Sequence, residues 1–171
     1  MNKYLRTILT ILVCAYFWYY TATYTDWHFI DAVDLIFHEA GHTIFIFLGE
    51  WVKILMGSGF QVLLPSLIAV YFFRTKQNLS GALCLLWSAA NLLNVSIYAG
   101  DAVAMQLPLL GGDSVIHDWN YLLGTTNMLD HTAFIAGTIY WLGILTMTAG
   151  TILSVYFAWT EDPEQDAGDI A

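Results

Sequence analysis

Positive charge is nearly missing from this chain. Lys and Arg number 5 among 171 residues, against 14 Asp and Glu, so there is no basic surface for nucleic acid. Charge of either sign is scarce too. Charged residues make up 11% and apolar residues 58%, whereas soluble domains average about 25% and about 45–50%. A solvated globule is thereby nearly excluded. Cysteine is limited to Cys14 and Cys84, both inside apolar runs, which rules out a disulfide framework and leaves two buried thiols. Neither C-x-x-C nor zinc-finger spacing occurs. The formal charge of −9 is concentrated at the terminus, where Glu161, Asp162, Glu164, Asp166 and Asp169 crowd together. The length fits one domain: a membrane domain over 1–159, followed by a mobile acidic tail over 160–171.

What is abundant is long apolar sequence. Runs cover about 7–22, 29–48, 60–73, 81–99 and 132–159, and about 20 apolar residues suit a bilayer core about 30 Å thick. The first run follows Lys3 and Arg6 as a secretory signal would, but Trp18, Tyr19 and Tyr20 stand where a small-residue cleavage site belongs. A retained helix with interfacial aromatic anchors is expected instead. The third run is short and contains Pro65. Between 100 and 131, Gly100, Pro108, Gly111, Gly112, Asp113, His117 and Asp118 interrupt a moderately apolar stretch. Such a segment must lie at the interface or line a protein cavity, because irregular backbone is not tolerated in lipid. The expectation is an all-α polytopic membrane protein of about five to six transmembrane helices.

The chemistry is concentrated in the second run. It reads Leu35-Ile36-Phe37-His38-Glu39-Ala40-Gly41-His42-Thr43-Ile44-Phe45, an H-E-x-x-H on an apolar helix. Histidines at i and i+4 share one face and can both offer nitrogen to one Zn2+. Glu39 stands where zinc hydrolases place the general base that takes a proton from water. Three ionisable groups within five residues of a membrane helix are costly, and a divalent metal is their natural partner. Ala40 and Gly41 keep the helix slim for a close neighbour. His28 and His131 lie near run ends, where an interfacial role suffices. Asp31 and Asp34 precede the motif, and at an N-terminal turn they favour the helix dipole.

An H-E-x-x-H on the second of several spans resembles the site-2-protease class, the zinc intramembrane metallopeptidases of family M50. The stretch Gly49-Glu50-Trp51 through Gly57-Ser58-Gly59-Phe60-Gln61 and Pro65 looks like its M50B-like branch. The resemblance extends over roughly 30–123. It implies that His38, His42 and a later aspartate bind zinc while Glu39 activates water. That class places its aspartate in an Asp-Gly preceded by asparagine and prolines. This chain has Asn91-Leu92-Leu93-Asn94 and then Asp101-Ala102, with no proline between. Asp101 is therefore one candidate for the third ligand. His117 is the other, since a neutral imidazole serves as well, with Asp118 or Asp113 orienting it.

Threading five simple spans with Lys3 and Arg6 inside puts Arg74 and Lys76 outside, against the positive-inside rule. It also separates Asp101 from the zinc motif. Both difficulties vanish if 49–60 returns across the membrane as an extended, re-entrant segment, since twelve extended residues reach about 40 Å. A Gly57-Ser58-Gly59 segment of this kind could also hold an unwound substrate strand. The sequence thus predicts a zinc-dependent hydrolase of peptide bonds in membrane-protein or peptide substrates, working in a lipid bilayer, with the inner membrane of a bacterium as the expected location. The alternative is a non-proteolytic membrane protein that keeps zinc as a structural or regulatory element. A metal carrier would need further ligands along a path, and few exist.

Overall fold

A computed structural model describes residues 2–110 and 116–161. Among these the chain is helical without strands: α1 (Lys3–Ala22), α2 (Phe29–Ile44), α3 (Glu50–Arg74), α4 (Asn78–Gly100), α5 (Asp118–Thr125) and α6 (Thr132–Thr160). Short 3-10 turns at Ile46–Leu48 and Leu129–His131 precede α3 and α6. Gly111, Gly112 and Asp113, the last a candidate to orient His117, and most of the acidic tail lie outside the described residues.

Helix boundaries follow local chemistry. Asn2 accepts the Tyr4 N–H at 2.9 Å to start α1, and Asp31 reaches back to the His28 N–H at 2.7 Å to start α2. Each satisfies one of the donors that a helix start leaves open. Gly49, at φ +88°, provides the left-handed turn that admits α3. The amino end of α4 is capped from the far end of the chain. Glu161 accepts the N–H groups of Asn78 and Leu79, each at 3.2 Å, where the helix dipole favours a carboxylate. Arg6, itself buried, donates to the carbonyls of Ala158 and Glu161 at the end of α6.

α4 is the central helix. It packs antiparallel to α6, with Gly143 against Leu93 and Gly150 against Leu86, and antiparallel to α3, with Gln61 facing Asn94 and Ser66 facing Ser88. The core joins Cys14, Phe17 and Tyr20 of α1 to Leu86, Ala89, Ala90 and Leu93 of α4 and Met147 of α6. These registers bring the start of α1, the end of α3, the start of α4 and the end of α6 to one end of the bundle. Lys3, Arg6, Arg74 and Lys76 therefore share that end, as the positive-inside argument requires.

The means differ from the expectation. Residues 49–60 are not extended; from Glu50 they form the first part of α3, which continues through Pro65 to Arg74. In an apolar surround a helix keeps its backbone hydrogen bonds internal, and proline is tolerated there. The element too short and too polar to qualify as a span is α2. Its start is tied to the end of α1 by His28 and Thr23 at 3.0 Å and by Tyr20 and Asp31 at 2.8 Å. Its end is tied to the start of α3 by His42 and the Lys53 carbonyl at 3.0 Å. Both ends of α2 thus lie near the end of the bundle opposite Lys3, Arg6, Arg74 and Lys76, the end that holds Lys53. Four helical stretches are long and apolar enough to cross a membrane: Lys3–Ala22, Glu50–Arg74, Asn78–Gly100 and Leu129–Thr160. The second apolar run yields only a 16-residue helix interrupted by acidic residues.

α2 is amphipathic in the inverse sense. Asp31, Asp34, His38 and Gly41 are buried, while Phe29, Ile36 and Ile44 are 83%, 67% and 49% exposed. A helix on a water-soluble protein buries its apolar stripe. One that turns polar groups inward and aliphatic groups outward fits an apolar surround.

Candidate metal centre

α2 and α3 meet as an antiparallel pair at two glycines. A Cβ on Gly41 would sit 1.9 Å from the Met56 carbonyl oxygen, and one on Gly57 would sit 2.6 Å from His42 Nε2 and 2.8 Å from His38 Nε2. Only hydrogen at these positions lets α3 close over the two imidazoles. Asp118, the first residue of α5, completes the group from the opposite side. Its Oδ2 lies 2.9 Å from His38 Nε2 and 3.1 Å from His42 Nε2, and the two nitrogens are 3.1 Å apart.

The outward nitrogens decide what the inward ones present. His42 Nδ1 faces the Lys53 carbonyl, which can only accept, so Nδ1 carries the proton and Nε2 a lone pair. His38 is set by a longer chain that starts at the Asp31 carboxylate, which accepts from Tyr20 Oη, the His28 N–H and Asn94 Nδ2. Asn94 Oδ1 must then accept from Gln61 Nε2 at 2.9 Å, and Gln61 Oε1 is left to accept from His38 Nδ1 at 3.2 Å. Two imidazole lone pairs and one carboxylate oxygen therefore converge within about 3 Å. Three acceptors at that spacing repel one another unless a cation or shared protons lie between them. The edge of a tetrahedral site with zinc bonds of about 2.0–2.1 Å is about 3.3 Å, close to the three separations. Two imidazoles and one carboxylate suit zinc, and the outward partners are of the kind that fix metal-ligating histidines.

Glu39 is exposed on α2 and borders the same opening as His38, His42 and Asp118. This opening is a cavity of about 390 Å³, with walls from Tyr24, Trp27, Leu107, Pro108, Leu110 and Ile116. Burial pushes the Asp118 carboxyl up, but where shared protons rather than a cation bridge the group, the two imidazoles donating to it outweigh burial and hold it below the usual carboxylate range. No cationic side chain lines the cavity among the described residues.

The structure brings His38, His42 and Glu39 together as the motif spacing predicts. Neither candidate for the third ligand joins them. Asp101 caps the end of α4 and accepts the N–H groups of Gln106 and Leu107, both at 2.9 Å. His117 Nε2 meets Asp101 Oδ2 at 3.3 Å, and its Nδ1 accepts the Asn120 N–H at the start of α5. The carboxylate that reaches the histidines belongs to Asp118, the immediate neighbour of His117. Asp31 and Asp34 serve neither as dipole caps alone nor as ligands: Asp31 anchors the chain to His38, while Asp34 accepts from Trp87 Nε1 at 2.7 Å and Asn91 Nδ2 at 3.2 Å. His28 stays by Thr23, and His131 stands just before α6 without a side-chain capping bond. Gln61 and Asn94 went unread in the sequence; their signal was polarity inside apolar runs. Compared with known protein families, curated proteins and solved structures, the chain matches none.

Proposed function

We propose that this protein is a membrane-embedded zinc metallopeptidase of the site-2-protease kind, with His38, His42 and Asp118 as the metal ligands. One observation carries the reading: three acceptor atoms converge beside a cavity that an H-E-x-x-H glutamate borders. Zinc, when bound, supplies Lewis acidity and makes water a nucleophile near neutral pH. Glu39 takes a proton from the attacking water, whose oxygen bonds to the scissile carbonyl carbon. The same carboxyl returns the proton to the nitrogen as the C–N bond breaks. Asp118 and the two imidazoles leave a side open, as catalytic sites do and closed structural sites do not. The cavity's apolar walls favour an extended segment of a membrane protein or an apolar peptide as substrate.

Purified full-length protein, loaded with zinc in lipid, should cleave a transmembrane substrate. Glu39→Gln should abolish cleavage and keep one zinc per chain. Cleavage unchanged in that variant refutes the mechanism. Retained zinc without cleavage by the wild type favours a structural or regulatory metal.

A further inference from the structure

A buried histidine and a half-buried aspartate beside the site remain unused by this mechanism. His117 is 4% exposed, so its ring is committed to protein partners. Its Nδ1 accepts the Asn120 N–H at 3.3 Å and thereby caps α5. An accepting Nδ1 leaves the proton on Nε2, which donates to Asp101 Oδ2 at 3.3 Å. Asp101 thus receives three donors: His117 and the N–H groups of Gln106 and Leu107. Leu107 opens the apolar wall of the cavity. The Tyr98 ring lies against His117, with centroids 4.5 Å apart, and its hydroxyl accepts the Asp118 N–H at 3.1 Å. Asn120 Nδ2 donates to the Ala102 carbonyl at 2.8 Å, a second tie between α5 and the end of α4.

We propose that Asp101 and His117 are positioning residues, a brace from the end of α4 that fixes the first turn of α5 and so aims Asp118 at the two histidines. The inference rests on the metal reading above. It assigns a role to residues whose types alone would also permit ligation. Asp118 is the first residue of an eight-residue helix, too short to hold its own direction without tertiary ties. A rotation of α5 would swing the carboxylate away while leaving the four long helices untouched.

The test is zinc affinity of the full-length protein, measured by competition with a chromophoric chelator, together with the visible spectrum of the Co2+-loaded form. Asp101→Asn removes the charge and one accepting oxygen. His117→Asn keeps an oxygen that can cap α5 and deletes the contact to Asp101. Each variant should bind one zinc per chain, about 10–100-fold more weakly, the usual cost of losing an outer partner. Both should alter the Co2+ spectrum, which a purely structural loss would leave unchanged. Because the two act through one contact, the double variant should be no weaker than about twofold beyond the worse single one. Asp118→Asn should lose stoichiometric zinc altogether. If Asp101→Asn fails to fold, His117→Asn alone decides the matter. Wild-type affinity in His117→Asn, or multiplied losses in the double variant, overturns the brace and leaves the metal reading standing. So does loss of stoichiometric zinc in Asp101→Asn with retention in Asp118→Asn. A wild type that binds no zinc overturns both.

Discussion

Gly57→Ala separates the metal site from the fold that carries it. The added Cβ would lie 2.5 Å from His42 Cε1, 2.6 Å from His42 Nε2 and 2.8 Å from His38 Nε2. Carbon contacts settle near 3.5–4.0 Å, so the atoms must separate by about 1 Å. The atoms met are the tips of two imidazoles, and rings swing more readily than helices part. The backbone therefore survives: alanine gains about 0.5–1 kcal/mol over glycine inside a helix, against an overpacking cost of about 1–3 kcal/mol. The metal does not tolerate the same shift, because ligand distances must hold within about 0.2 Å. Zinc affinity should fall more than about 100-fold. At a free zinc concentration about 1,000 times the wild-type Kd, bound metal stabilises the fold by about 4.1 kcal/mol, and most of that increment should vanish in the variant. The assay is thermal unfolding with and without zinc, alongside chelator competition. Zinc binding within threefold of wild type refutes the reasoning, because the ligands could not then be the two nitrogens that Gly57 faces.

Gly41→Ala should behave in the opposite way, because its Cβ meets backbone, the Met56 carbonyl oxygen at 1.9 Å. A loss of about 3 kcal/mol or more in metal-free stability is expected, and chemical denaturation will measure it. Zinc binding should also weaken in acid, since a protonated imidazole has no lone pair to give. Each ligating imidazole that carries an extra proton in the free protein must release it, so affinity should drop by as much as about 100-fold per pH unit once both are protonated. The Asp118 carboxylate facing His42 raises that imidazole above its ordinary value. Asp118, held below the usual carboxylate range by the protonated imidazoles, should add no third proton while the histidines titrate. A proton count of one or fewer at pH 5.5 counts against paired imidazole ligands.

Much of the fold was legible because long apolar runs fold as long helices. The first, fourth and fifth apolar runs became α1, α4 and α6, and Lys3, Arg6, Arg74 and Lys76 share one end, as the positive-inside rule asks, by another route than a re-entrant 49–60. The parity problem in the loop charges was real, but its solution lay in α2 rather than in 49–60. The loop-charge argument places Gly57, Ser58 and Gly59 in an extended segment. In the structure they are helical, and Gly57 serves to admit two imidazole rings, a tertiary demand that no local pattern announces. The motif residues His38, Glu39 and His42 were readable because one helix sets their spacing. The third ligand comes from 80 residues away, and nothing in the sequence fixes which carboxylate closes that distance. Asp118 opens α5, where the dipole favours a carboxylate, and Asp101 ends α4, where it does not, yet neither position announces a metal ligand. Only the geometry separates the residue that braces from the residue that reaches.

X-ray absorption at the zinc edge of the wild-type protein tests the central claim most directly. The account predicts one zinc per chain, four-coordinate, with two imidazoles and the remaining positions filled by oxygen, and loss of that signal in Asp118→Asn. A single imidazole, or an unchanged spectrum without Asp118, would contradict it.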